Sequence, residues 1–189
     1  GFVMSLYTLA EQDEAVDPAR IADALAGNLC RCTGYGPIVA AAQDAASAPR
    51  PADDRDRRAR EFSAAAQIAT DQDLAFANRA GDRAFFAPAR LETLAALYAA
   101  HPDATLVAGA TDVGLWVTKH LHDPKVVIHL GRVAGLDGIG VVGGWLRIGA
   151  AATYAAAAPA IAERHPDFGE LIRRIGGAQI RAAGTIGGN

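Results

Sequence analysis

Apolar residues recur at helical spacing from Phe2 to Ala10 (Phe2, Val3, Leu6, Leu9, Ala10) and give way to a polar run from Glu11 to Glu14, which predicts one helix. Asp17-Pro18 reads as an N-cap with proline in the first turn. With Ile21, Ala24 and Leu25 following and a stop at Gly27, it predicts a second, short helix. A third starts at Pro37, where Ile38, Val39, Ala41, Ala42 and Ala45 make a face small enough for close helix packing. Ala48 to Arg60 then combines two prolines with dense mixed charge and almost nothing to bury, the pattern of a linker. Phe62 to Ala80 is alanine-rich and weakly helical, and its pattern assigns it to no element.

From Arg83 strand-like and helical pieces alternate, which predicts an α/β or α+β unit. Strands are expected at Ala84-Phe85-Phe86, Thr105 to Val107, Val126 to Leu130 and Trp145 to Ile148, the last after a Gly143-Gly144 turn. Helices are expected over Leu91 to Ala100, Val113 to His120, and Leu171 to Ala183 with an interruption at Gly176-Gly177. Residues 184–189 read as loop. The chain therefore divides into a helical unit over 1–48, a linker over 49–82 and a mixed unit over 83–189.

At 189 residues, 51% hydrophobic and 21% charged, the chain can bury a core. A net charge of −3 gives no broad attraction to nucleic acid or an anionic membrane surface, so neither is an expected partner. No apolar run approaches the roughly 20 residues needed to span a bilayer. Two unpaired cysteines fit a reducing, cytoplasmic compartment. Gly1 is not an initiator and Asn189 closes a glycine-rich string, so the chain is expected to be part of a longer polypeptide.

Those two cysteines, Cys30 and Cys32, sit one residue apart in Asn28-Leu29-Cys30-Arg31-Cys32-Thr33-Gly34-Tyr35. Thiolates so spaced can both face one metal centre, whereas a disulfide across one residue would be strained. The plainer reading is a pair of buried free thiols behaving as small hydrophobes. Gly27, Gly34 and Gly36-Pro37 flank the pair, leaving backbone N–H groups available to stabilise thiolate sulfur.

Two glycine loops are the other candidates. Ala108-Gly109-Ala110-Thr111-Asp112 follows a predicted strand and precedes a predicted helix, so its N–H groups can bind an anion such as a pyrophosphate. Gly109 would allow close approach and Thr111 adds a hydroxyl, while Asp112 reads as the helix cap. The spacing is not GxGxxG, and glycine loops are often simple turns; the same two readings apply to Gly184-Thr185-Ile186-Gly187-Gly188-Asn189. His101, His120, His122, His129 and His165 show no strong ligand spacing, and Trp116 and Trp145 read as core residues.

The cysteine string, with Gly1-Phe2-Val3-Met4-Ser5 upstream, resembles the helical 2Fe-2S domain of the molybdenum hydroxylases, the group containing xanthine dehydrogenase, aldehyde oxidase and carbon monoxide dehydrogenase. The resemblance implies that Cys30 and Cys32 are the later Cys-x-Cys pair of a four-thiolate cluster site whose earlier Cys-Gly-x-Cys pair precedes Gly1. Phe86 to Asn189 resembles the FAD-binding domain of the same family, a flavoprotein fold of the vanillyl-alcohol-oxidase type. This implies that Leu106, Val107, Ala108, Gly109, Ala110, Thr111, Asp112 and Val113 lie along the FAD pyrophosphate. It likewise implies that Gly184, Thr185, Gly187, Gly188 and Asn189 contact the flavin end, with Ile175 beside it. The implied fold class is α+β multidomain: the C-terminal half of an all-α 2Fe-2S domain, a linker, and the N-terminal part of an α/β FAD-binding domain.

Fusion of these two units on one polypeptide resembles the iron-sulfur/FAD small subunit found among bacterial xanthine dehydrogenases. That implies electron transfer from a molybdenum cofactor on a partner chain through 2Fe-2S clusters to FAD and on to NAD, in the oxidation of hypoxanthine or xanthine to urate. The implied assembly is a hetero-oligomer with two copies of each subunit. Two alternatives stay open: a related molybdenum hydroxylase acting on an aldehyde or an aromatic acyl-CoA, or a non-catalytic module in which the cysteines share zinc with another chain.

Overall fold

A computed structural model describes the chain apart from residues 13–15, 50–51, 69–70 and 189, and it falls into two compact units, Gly1–Thr70 and Asp71–Asn189. The first holds α1 (Phe2–Ala10), α2 (Pro18–Leu25), α3 (Gly36–Ser47) and α4 (Ala52–Ile68). The Asp17 carboxylate accepts the Arg20 N–H at 2.9 Å, satisfying one of the donors that a helix start leaves unpaired. Gly27, at φ 91°, turns the chain away in a conformation that costs glycine little. Leu9, Ile21, Leu25 and Ala42 form the core, with Phe2, Leu6, Val16, Ala24, Ile38 and Val39 packed around them. Burying a side chain such as Ile21 contributes about 1.5–3 kcal/mol, so the predicted apolar stripes are what hold the first three helices together.

Part of the linker expected over residues 49–82 forms regular structure. Ala52–Ile68 is helical, because a run rich in Ala and Arg without glycine or proline is a good helix former whatever its polarity. Arg57 and Glu61 pair at 2.8 Å one turn apart, and Arg58 pairs with Glu11. The end of the same stretch belongs to the second unit. Leu74–Ala77 is β1, an antiparallel edge strand whose short alternation carries too few large residues to register in the pattern.

The second unit then runs β2 (Ala84–Ala87), α5 (Leu91–Ala100), β3 (Thr105–Val107), α6 (Val113–Thr118), β4 (Val126–His129), β5 (Ile139–Val142), β6 (Trp145–Ile148), α7 (Tyr154–Arg164), α8 (Pro166–Arg173) and α9 (Ala178–Ala183). Its main sheet has the order β1-β2-β4-β3, with β4 parallel to both neighbours and Ile128 at its centre wholly buried. The Asp73 carboxylate accepts the Ala89 N–H at 2.7 Å and the Thr93 hydroxyl at 3.0 Å, anchoring the entry to β1 against the start of α5. Arg83, just before β2, grips Asp123 through Nε and Nη2 at 2.9 and 2.5 Å, and Lys125 reaches the same carboxylate at 3.0 Å.

β5 and β6 form a separate antiparallel hairpin turning at Gly143 and Gly144, both at positive φ, as a two-residue hairpin turn requires. Trp145 is not a core residue. It is 80% exposed, because the strand alternation sends Trp145 and Arg147 outward while Leu146 and Ile148 are half-buried. α7 was not legible in the sequence, since an alanine run containing Pro159 shows little periodicity; Thr153 caps it by accepting the Ala156 N–H at 3.1 Å. The helix expected from Leu171 begins earlier, at Pro166, and breaks as expected at Gly176, whose φ is 53°.

Candidate functional site

The two glycine loops meet. Leu106 to Val113 and Thr185, Gly187 and Gly188 line one cleft of about 390 Å³, within the range of small-molecule sites. Gly109 has a packing reason to be glycine. A Cβ there would overlap the Ala183 carbonyl, so its missing side chain lets the loop after β3 pack on the backbone at the end of α9. Gly187 is equally constrained, with Ala150 Cβ at 2.7 Å from where its own Cβ would lie, whereas Gly188 has open space around it and φ +83°.

The wall is stitched by backbone hydrogen bonds. Ile186 and Gly187 donate to Ala152 and Ala150, each at 2.8 Å, and Tyr154 donates to Gly184 at 3.0 Å. Gly184 is buried and backs onto Thr111, so it supports the cleft without lining it; Ile175, in the turn between α8 and α9, also lies outside the lining. Asn189 lies outside the described residues. Asp112 does not cap α6: its backbone is already helical, at φ −98° and ψ −57°, and its side chain makes no cap hydrogen bond.

Chemically the cleft suits an anion held by backbone. Among the described residues the N–H groups of Gly109, Ala110, Thr111, Asp112 and Val113 have no acceptor in the chain, and Ala110 takes a positive φ of 57° that re-aims the loop. α6 is only six residues long, so the loop N–H groups matter more than any helix dipole. Sequence reasoning missed Trp116, read as core, and Leu130, Leu136 and Ala151, which also line the cleft. Trp116 follows Asp112 by one helical turn, a spacing that could have flagged it; the leucines carry no such signal.

The cysteine turn has its own organisation. Cys30 is half-buried and Cys32 exposed, and neither is in a disulfide, so the pair is not a core pair. The Thr33 hydroxyl at 3.5 Å from Cys30 Sγ, followed by the Cys32 and Thr33 backbone N–H groups, lowers the Cys30 thiol from its ordinary range. Those donors favour a thiolate, which is the form a metal requires. Asn28 Nδ2 donates to Ser5 Oγ at 2.9 Å, and the Asn28 amide oxygen lies against Gly1, holding the turn beside the start of α1. Among the described residues no group of three or more His, Cys, Asp or Glu could hold a metal ion. His122 sits edge-on to Trp116 at 6.1 Å.

The cysteine turn thus lies in the helical unit and the cleft in the α/β unit. Residues 76–189 match the family described as the FAD binding domain in molybdopterin dehydrogenase, and residues 1–43 match a 2Fe-2S binding domain. The chain belongs to the molybdopterin dehydrogenase family of FAD-binding domains. It is 26% identical over 237 residues to aldehyde oxidase 2 of Mus musculus, an alignment covering all of this chain and 18% of that protein. It is 34% identical over 107 residues to the nicotine 6-hydroxylase medium subunit of Paenarthrobacter nicotinovorans, covering 56% of this chain and 38% of that one. Among solved structures it is similar to carbon monoxide dehydrogenase from Hydrogenophaga pseudoflava, with a TM-score of 0.50, 30% identity, and 55% of this chain and 37% of that one covered. The chain thus spans well under half the length of these relatives. No helix among the described residues is long and apolar enough to cross a membrane.

Proposed function

We propose that this chain is the electron-transfer part of a molybdenum hydroxylase, the small subunit of a xanthine dehydrogenase. The observation that carries the electron-transfer reading is the convergence of the loops around Gly109 and Gly188 on one cleft, on the same polypeptide as the Cys30–Cys32 turn. FAD in that cleft would supply the two-electron acceptor and a 2Fe-2S cluster the one-electron carrier. The Gly109–Val113 N–H groups would hold the pyrophosphate, and Thr185, Gly187 and Gly188 the flavin end. Cys30 and Cys32 would ligate iron, with the other two thiolates coming from a Cys-Gly-x-Cys segment preceding Gly1. Asn28 against Gly1 supports this, since it sets the cysteine turn next to where that segment enters.

In this reading the substrate is a purine oxidised at a molybdenum cofactor on a partner subunit, the acceptor is NAD, the assembly holds two copies of each subunit, and the compartment is the cytoplasm. A second reading has a specific observation behind it. The alignment with mouse aldehyde oxidase 2 runs through both units, so an aldehyde-oxidising relative has the same fused arrangement. The deciding experiment is purification of the intact complex, visible and electron paramagnetic resonance spectra, and steady-state assays with xanthine and an aldehyde, each with NAD or oxygen. Flavin and 2Fe-2S absorbance with xanthine-dependent NAD reduction is the expected outcome. Aldehyde turnover alone transfers the assignment to the second reading, and a colourless protein containing zinc overturns both.

A further inference from the structure

Thr33 occupies a place in the cysteine turn that ligation alone does not explain. The Tyr35 backbone N–H points to Thr33 Oγ1 at 3.3 Å, Thr33 Oγ1 lies 3.5 Å from Cys30 Sγ, and the Cys30 N–H donates to the Tyr35 hydroxyl at 3.0 Å. The three bonds close a ring around Cys30. Its direction is fixed by chemistry: a backbone N–H only donates, so Thr33 Oγ1 is the acceptor from Tyr35 and has one proton left to give. A thiolate bound to iron has no proton, so that hydroxyl proton goes to Cys30 sulfur. The ring is held in shape by backbone that side chains rarely adopt, Gly34 at φ 63° and Tyr35 at φ 67°, and by the Tyr35 ring against Phe2 at 6.4 Å between centroids. Among the described residues no side chain donates to Cys32 sulfur, so the two ligands are treated unequally.

Resting on the cluster reading above, we propose that Thr33 sets the reduction potential of the 2Fe-2S centre by donating a hydrogen bond to the Cys30 sulfur. A hydrogen bond to a ligand sulfur withdraws electron density and stabilises the reduced cluster, which carries one more negative charge. Acceptance from the Tyr35 N–H polarises the hydroxyl and strengthens its donation. Thr33 is a positioning residue for charge and acts through Cys30.

The test is a redox titration of the intact complex, followed by electron paramagnetic resonance, for wild type, Thr33→Val and Thr33→Ser. Thr33→Val keeps the volume and loses the proton. It is expected to assemble the cluster with unchanged iron content and to lower the reduced-to-oxidised ratio at fixed poise by about tenfold, equivalent to ~59 mV for a one-electron couple. Thr33→Ser is expected to restore the wild-type potential. An unchanged potential in a fully assembled Thr33→Val cluster overturns the proposal. So does failure of both Thr33→Val and Thr33→Ala to assemble any cluster while Thr33→Ser does, since the hydroxyl would then serve assembly instead. Absence of a 2Fe-2S signal from wild type would sink the cluster reading itself, a result distinct from either.

Discussion

Gly109 faces the carbonyl of Ala183 with no room for a methyl group, and this contact joins the loop after β3 to the loop after α9. The two glycine strings of the sequence are therefore one structural unit. Gly109→Ala is expected to push them apart, misaligning the N–H groups that would hold a pyrophosphate. A hydrogen bond to a charged group contributes about 1.5–3 kcal/mol, so losing one or two weakens FAD binding by roughly ten- to several-thousand-fold. Gly188→Ala meets no neighbour and strains only its φ of +83°, at about 1–2 kcal/mol. Flavin occupancy of the two purified variants is the measurement, with circular dichroism to show that both fold. Equal flavin retention in Gly109→Ala and wild type would show that the interlock is not needed for binding.

Cys30→Ser is expected to remove one iron-sulfur signal in electron paramagnetic resonance and to leave FAD bound. The cysteine turn and the cleft lie in separate compact units. Loss of both cofactors together would contradict that independence.

Much of this was legible in the sequence because it rests on local rules. The Asp17 cap, the Gly27 stop and the β6 strand from Trp145 to Ile148 follow from periodicity and turn chemistry. The Ala108 to Asp112 part of the cleft lining was legible for the same reason, as a strand running into a glycine turn, while Leu106, Val107 and Val113 came with the family resemblance. What was not legible depends on partners distant in the chain. Gly109 reads alone as a place for a ligand, and only the fold reveals Ala183 opposite it. Leu136 lines the cleft because Gly149 lets its own strand end pack against the Leu136 carbonyl, which no local pattern records. The helix over Ala52–Ile68 lies partly in the stretch read as a linker and partly in the one read as weakly helical, since its low apolar content hides a helix that propensity and ion pairs suffice to form.

The acidic limb of stability has an identifiable contributor in Glu170. Arg173 and Arg174 hydrogen-bond its carboxylate at 2.7 to 2.9 Å and lower it from an ordinary 4.5 to about 2. A depressed folded value stabilises the native state above the unfolded value, and the contribution is lost as pH falls through the folded one. The unfolding free energy of Glu170→Gln is therefore expected to lie below that of wild type near neutral pH, with the gap closing between about pH 4.5 and 2. The effect is small because the pair is solvent-accessible. A gap that persists unchanged at pH 2 would assign it to packing. Asp123, lowered by Arg83 and then Lys125, follows the same sign.

Arg181 closes the turn between α8 and α9. Its Nη1 donates to the carbonyls of Arg173, Ile175 and Gly176 at 2.9, 3.2 and 2.9 Å, satisfying acceptors that the end of α8 leaves without intrahelical partners. Gly176, at φ 53°, brings the chain round so that all three face one guanidinium, and Ile180 packs against it from the next helix. Arg181→Ala would leave three carbonyls to find water. A bond to a charged donor contributes about 1.5–3 kcal/mol, and part of this is recovered by hydration, so a net loss of roughly 1–3 kcal/mol is expected. Ile175 loses its anchor in the same change, and Gly184 sits at the far end of α9, behind the cleft wall. Flavin affinity should therefore fall with stability in Arg181→Ala. Urea denaturation and flavin fluorescence titration measure the two quantities separately. A variant that loses stability while binding FAD as wild type does would show that the turn supports the fold alone, and that the cleft is held by the Gly109–Ala183 contact without it.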